Sequence, residues 1–218
     1  MKRTIPAAVF AVGLVTGGAF IWKAAAAPAE TATTASTGVR AADTGKEPVT
    51  QPLREEHKEL APHIEAIGTA GDAVAVAPRA ELIEKVHASH EFLTAHLIPH
   101  AVAEDKVLYV EVDRLIGSNG STHATDTMRR DHAEVVALTE QLGTLAEKLQ
   151  QRELMPAEQQ DLRQVLYALN GIIDLHFAKE EEVYLPLLDR KLTAEEAQRM
   201  FEQMEKISTS SDGGEAGH

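Results

Sequence analysis

The chain has 218 residues, 44% of them apolar and only 4% aromatic, with a formal net charge of −13. Its length allows one domain with a sizeable core, and its charge argues against a nucleic-acid partner, because phosphate neutralisation needs a basic face and Lys and Arg form no stripe beyond the first residues. Cysteine is absent, so disulfides and thiolate metal sites are excluded and any metal must be held by nitrogen and oxygen.

The first predicted element is an export segment. Lys2 and Arg3 precede an uncharged, largely apolar run from Thr4 to Trp22, followed by Lys23 and an alanine stretch ending at Pro28. Residues 1–27 therefore read as a signal peptide. The run is also close to the ~20 residues that span a bilayer, so an uncleaved membrane anchor competes with cleavage. Either way the leading cations stay cytoplasmic. The remainder is expected on the outer face of the cytoplasmic membrane, in the cell envelope or secreted, touching a membrane only through an uncleaved segment.

Residues 28–50 are rich in Ala, Thr, Gly and Pro with no apolar period and read as a flexible linker. From residue 51 onward Ala, Leu, Glu, Gln and Lys dominate and β-branched runs are few, which predicts helices. Four are expected at about 51–67, 79–116, 122–150 and 156–188, with a break at Gly117-Ser-Asn-Gly120. They fill a domain spanning 51–190. A C-terminal helix at 191–207 begins at a capping box, Thr193 with Glu196, and a polar, Gly-rich tail at 208–218 is expected to be disordered.

Steps of three and four residues define one apolar seam per helix, and histidines fall on those seams. The first seam is Leu53, His57, Leu60, Ile64, Ile67; the second is Val86, His90, Leu93, Leu97, His100, Glu104, Val107. The third runs Met128, His132, Val135, Leu138 or Thr139, Leu142, Leu145, Leu149, and the fourth runs Leu162, Val165, Leu169, Ile173, His176, Glu180, Val183, Leu187. The fold class is therefore all-α, an up-down four-helix bundle with polar groups in its core and a short extra helix.

Those polar groups repeat. His57 then His100-x3-Glu104 is matched by His132 then His176-x3-Glu180, the histidines of each unit standing 43 and 44 positions apart. In an up-down bundle, residues at one height have a turn midway between them, because each helix rises about 1.5 Å per residue. The midpoints fall at residues 79–80, 117 and 155, beside Pro78, Gly117 and Pro156, so all six residues are expected at nearly one level.

Two glutamates on core seams need compensating charge, since a buried unpaired carboxylate costs several kcal/mol. No seam supplies a Lys or Arg to each. A multivalent cation would serve both, and histidine with glutamate suits iron, zinc or manganese better than calcium or magnesium. His57, His100, Glu104, His132, His176 and Glu180 are the candidate metal ligands, arranged as a cradle for two ions. His90 is a further candidate on its seam. His63, His87, His96 and His123 are expected at the surface or in loops, and His218 in the tail. Pro99 predicts a kink beside His100. Tyr109 and Tyr184, about a turn past the glutamates, are read as core residues with hydroxyls at the surface, a donor role to the centre being the alternative.

These residues, with Leu108-Tyr109 and Tyr184-Leu185-Pro186 following the glutamates, resemble the hemerythrin-like HHE cation-binding domain over about residues 51–190. The resemblance implies two non-haem iron ions bridged by Glu104 and Glu180, with the four histidines as terminal ligands. It does not fix the activity, since proteins of this kind variously carry oxygen, act as sensors, handle iron or nitric oxide, or react with peroxide. The chain departs from oxygen-carrying hemerythrins in two places. Met128 and Val136 stand where a second third-helix histidine would be, and His176-x3-Glu180 replaces H-x4-D, leaving Glu181 as a minor ligand candidate. With two bridging carboxylates and a solvent bridge, each ion would have about five ligands, and an octahedral preference would leave both with an open position. The expected function is an exported di-iron protein that binds or reacts with a small ligand. The alternatives are a peroxide-consuming di-iron enzyme and a non-redox metal-binding protein. A ferritin-like oxidase is disfavoured, because its paired E-x-x-H motifs have one strict match, Glu84-Lys-Val-His87.

Overall fold

The computed structural model describes residues 47–117 and 123–210, and every regular element among them is helical. The expected signal or anchor at 1–27, residues 28–46 of the expected linker and residues 211–218 of the expected tail lie outside the described residues, whereas Thr50, expected in the flexible linker, is buried and bonded to Asp189, and residues 208–210, expected to be disordered, are helical. No helix among the described residues is long and apolar enough to cross a membrane.

Helix α1 is Gln51–Ala73. Helix α2, residues 79–116, is compound: α-helical Arg79–Phe92, Ile98–Ala103 and Tyr109–Ile116 are joined by π turns at Leu93–Leu97 and Glu104–Leu108. Helix α3 is Asp126–Gln151. Helix α4, residues 156–191, joins Pro156–Lys179 to Leu185–Lys191 through a π turn at Glu180–Tyr184. Helix α5 is Ala194–Ser210. Helices α1 and α3 each pack against both α2 and α4, which closes a four-helix bundle, and α5 lies along residues 98–108 of α2.

Helix α1 runs six residues past its expected end at Ile67. Gly68 and Gly71 read as helix breakers, yet both lie inside it where α4 comes close: a Cβ on Gly68 would sit 3.0 Å from Asn170 Oδ1, and one on Gly71 would sit 2.8 Å from Tyr167 Cε1. The glycines serve contact rather than a turn. The turn itself is short and centres on Ala75, whose φ is +64°. Gly117 ends α2 at φ +82°, a conformation that favours glycine.

The core has two apolar clusters. One, including Leu60, Ile64, Ile67, Phe92, Leu97, Val135, Leu142, Leu169 and Ile173, lies on one side of the histidine level. The other, including Leu53, Ala103, Leu108, Tyr109, Met128, Tyr184, Leu185 and Leu188, lies on the opposite side and takes in Ala197, Met200, Phe201 and Met204 of α5. Each buried large apolar side chain contributes roughly 1.5–3 kcal/mol, so the two clusters hold the bundle closed around a polar layer whose burial opposes folding.

Caps fix the helix ends. The Thr193–Glu196 box forms as expected: Thr193 N–H donates to Glu196 Oε2 at 2.8 Å, and Glu196 N–H donates to Thr193 Oγ1 at 3.3 Å. At the start of α4, Glu158 accepts from Arg152 through both guanidinium nitrogens, each at 2.7 Å, and from Met155 N–H at 3.0 Å. Arg152 and this backbone N–H hold its carboxyl at about 2, below the ordinary 4.5. A lowered folded-state pKa gives stability that is complete above about 4.5 and is lost as pH falls towards 2. Glu158→Gln should therefore melt at a lower temperature than the parent at pH 7, with the gap narrowing below pH 4.5 and closing near pH 2; thermal denaturation followed by circular dichroism across that range measures it.

Candidate metal centre

All four bundle helices contribute to one buried layer: α1 supplies His57, α2 His100 and Glu104, α3 His132, and α4 His176 and Glu180. The glutamates are fully buried, and no histidine of the set is more than 7% exposed. The spacing H-x3-E places each histidine and its glutamate on one helix face. His57, His100 and Glu104 form one group whose ligand atoms lie within 4.8 Å of one another, and Glu104, His132 and His176 form a second.

The two glutamates face both groups. Glu104 Oε1 is 3.0 Å from His100 Nε2 and 4.0 Å from His57 Nε2, while its Oε2 is 3.3 Å from His132 Nε2 and 3.9 Å from His176 Nε2. Glu180 Oε2 is 3.4 Å from His57 Nε2, and its Oε1 is 3.6 Å from His176 Nε2. His132 Nε2 and His176 Nε2 are 3.0 Å apart. Each carboxylate therefore presents one oxygen to each histidine pair.

A ring of four outer carboxylates orients the imidazoles. His57 Nδ1 contacts Glu181 at 2.9 Å, His100 Nδ1 contacts Glu56 at 3.0 Å, His132 Nδ1 contacts Asp105 at 3.0 Å, and His176 Nδ1 contacts Asp131 at 3.3 Å. An ionised carboxylate only accepts, so each Nδ1 carries the donated proton and each Nε2 faces the layer. Every carboxylate reaches across to the next helix, α1 to α2, α2 to α3, α3 to α4 and α4 to α1. Cations back three of them: Arg54 pairs with Glu181, Arg129 with Asp105 and Lys179 with Asp131.

The inner atoms are left unpaired. Both oxygens of Glu104, Glu180 Oε2, His57 Nε2 and His100 Nε2 are buried without a hydrogen bond. His100 Nε2 is close to Glu104 Oε1 but out of line for one. An orphaned buried polar group costs about 1–3 kcal/mol and more when charged, so five converging on one layer suit a multivalent cation. Burial opposes charge on His100, but Glu104 and Glu56 outweigh it and raise its pKa well above the usual value. For His176 burial is again overcome, by Glu104 and Glu180, which push it up to about 10. Burial would raise the Glu104 carboxyl, yet His100, with His132 and His176, holds it well below the usual range.

Tyr109 is the main correction. Its hydroxyl is not at the surface: the side chain is fully buried, its O–H donates to Glu180 Oε1 at 2.6 Å, and it lies 3.0 Å from His176 Nε2. The cause is the π turn. Tyr109 N–H bonds to the Glu104 carbonyl five residues back, so the fifth residue rather than the fourth returns to the ligand face. The same slip after Glu180 turns Tyr184 and Leu185 inward and leaves Val183, expected on the seam, 56% exposed. Tyr184 is buried in the core, with its hydroxyl donating to the Ala124 carbonyl at 3.1 Å. Beside Pro99, where the sequence predicts a kink, the helix carries a π turn, Leu93–Leu97, directly preceding the residue before the proline.

Glu181, a ligand candidate by sequence, faces His57 Nδ1 rather than the inner layer. His90 lies against Gly143 in a surface groove, ten residues from His100 along α2, or about 15 Å at helical rise. His63, His87 and His123 are exposed, and His96 is half-buried. Glu56, Asp105 and Asp131 were not singled out by sequence. Each, like Glu181, directly adjoins a candidate ligand in the chain, and that adjacency was the available signal.

An all-helical bundle with His/Glu groups able to hold cations is thus the class that fold and site define. Residues 49–188 match the model of the family described as the hemerythrin HHE cation binding domain, with a second match over residues 123–210, and the chain belongs to that family. No curated protein and no solved structure matches it.

Glu56 contacts His100 Nδ1 and its other oxygen is unpaired, which makes it the simplest test of the outer ring. Glu56→Ala should weaken metal affinity about 10–100-fold, with Glu56→Gln closer to the parent, as read by chelator competition.

Proposed function

We propose that this protein holds two non-haem iron ions, one at His57 and His100 and one at His132 and His176, with Glu104 and Glu180 bridging them, and that the pair binds or reacts with dioxygen, peroxide or nitric oxide. The observation that carries the reading is the split of each buried carboxylate, one oxygen towards each histidine pair. A donor set of imidazole and carboxylate suits iron, and zinc and manganese are the other metals it accepts. Bound iron supplies a change of redox state and a coordination position for the small ligand.

The chain's own residues supply position and seclusion. The outer carboxylates keep the imidazole protons on Nδ1, leaving Nε2 for metal. Apolar clusters above and below the layer exclude water. Phe177 stacks on His57 with ring centres 4.2 Å apart and fixes the plane of that ring. The lysine and arginine that open the chain, with the apolar run to Trp22, support export of this domain across the cytoplasmic membrane.

Metal analysis of the purified full chain should find two irons, and the double replacement Glu104→Ala/Glu180→Ala should abolish loading of both. Two irons retained by that variant would refute bridging. Oxygen released from added peroxide would mark an enzyme, a reversible visible band with oxygen and no turnover a carrier, and a colourless zinc-loaded protein a metal-holding role. Cell fractionation tests export, which deletion of residues 2–22 should abolish.

A further inference from the structure

The two metal positions proposed above have different surroundings. Around His132 and His176, the donor atoms are two imidazole nitrogens, Glu104 Oε2 and Glu180 Oε1, and the Tyr109 hydroxyl oxygen stands among them. Neighbouring ligands on an octahedral ion with bonds of about 2.1 Å are about 3 Å apart. Tyr109 Oη is 3.0 Å from His176 Nε2 and 2.6 Å from Glu180 Oε1, and His176 Nε2 is 3.0 Å from His132 Nε2. The hydroxyl oxygen thus lies at about ligand spacing from two of these donors, His176 Nε2 and Glu180 Oε1.

Among the described residues nothing equivalent stands beside His57 and His100. The residue matching Tyr109 in the repeat, five positions after Glu180, is Leu185, which is fully buried and has no donor atom. The aromatic neighbour on that side is Phe177, with ring centres 4.2 Å from His57 and 6.0 Å from His100. Four protein donors face that position and five face the other.

We propose that Tyr109 is itself a metal ligand, its phenolic oxygen joining His132, His176, Glu104 and Glu180 as a fifth protein donor that, with a solvent bridge between the ions, fills that position, so that a small external ligand enters at the His57/His100 ion. The inference rests on the di-iron reading and sharpens it. A trivalent ion seated among the carboxylates is the largest local charge and takes the oxygen in ionised form. The O–H bond is exchanged for an O–metal bond, the proton passes to solvent, and no electron changes hands.

The test uses the full chain loaded with ferric iron. Two irons per chain together with a tyrosinate-to-iron charge-transfer band and phenolate modes in resonance Raman spectra are expected, and Tyr109→Phe should keep both irons and lose band and modes. The chain has three tyrosines, so the double variant Tyr167→Phe/Tyr184→Phe leaves Tyr109 alone and should keep the band even where Tyr109→Phe does not fold. Two irons without phenolate modes in the parent, a band that survives Tyr109→Phe, or one lost in the double variant would overturn the tyrosine ligand while leaving the di-iron reading intact. A parent chain that takes up no iron pair would overturn both.

Discussion

Glu104 and Glu180 are carboxylates with no exposure to water, placed on facing seams of one bundle. Burying such charges costs several kcal/mol each unless they are matched, and the surrounding residues are arranged to match them. Four imidazoles face the glutamates, four carboxylates face the imidazoles, and Arg54, Arg129 and Lys179 face three of those carboxylates. Carboxylates and nitrogen groups therefore alternate outward from the centre. Each outer carboxylate belongs to a different helix from the imidazole it holds, so the same contacts that orient the rings also tie α1, α2, α3 and α4 into a closed circuit. Orientation of the site and closure of the bundle are one set of interactions.

The π turns set the phase of this arrangement. Glu104 and Glu180 each open one, and in each case the N–H five residues on bonds back to the glutamate carbonyl. Each turn advances the inward face by one residue, so the apolar cluster beyond the layer is built from Leu108, Tyr109 and Val112 on α2 and from Tyr184, Leu185 and Leu188 on α4. With unbroken α-helical phase, Val107 and Val183 would point inward and Tyr109 would turn away from Glu180. The widened turns thus join two helical segments of different phase at the ligand level. Helix α5 then lies along the widened part of α2, burying Ala197, Met200, Phe201 and Met204 in that same cluster.

Periodicity carried the sequence reading well up to the glutamates and less well beyond them. The seams placed His57, His100, Glu104, His132, His176 and Glu180 inward, and the spacing of Gly117 and Pro156 placed them at one level, because both inferences need only a regular rise and a regular twist. Val183 and Tyr109 were misplaced because a π turn has no residue signature as plain as a proline. The end of α1 was misread for another reason. Gly68 and Gly71 disfavour a helix by propensity, but the space their missing side chains leave for Asn170 and Tyr167 decides their place. Tertiary contact overrode local preference, and that contact cannot be read from α1 alone.

The internal repeat runs deeper than the ligands. Thr50 and Thr125 each donate through N–H and Oγ1 to one aspartate, Asp189 and Asp113, nine residues past Glu180 and Glu104 respectively. Arg54 and Arg129, each three residues before a histidine ligand candidate, pair with those same aspartates. Glu56 corresponds to Asp131, and Asp105 to Glu181. The frame that positions the six central residues is thus nearly twofold symmetric, from the helix ends to the outer carboxylates. Symmetry fails at the lining: Tyr109 answers to Leu185, Phe177 to Ala101, and Lys179, which backs Asp131, to Ala103. A symmetric frame sets two histidine pairs at one height with like support. Unlike lining then sets a tyrosine hydroxyl beside one pair and an aromatic wall beside the other, so any chemical difference between the two halves arises from residues the ligand motif does not contain.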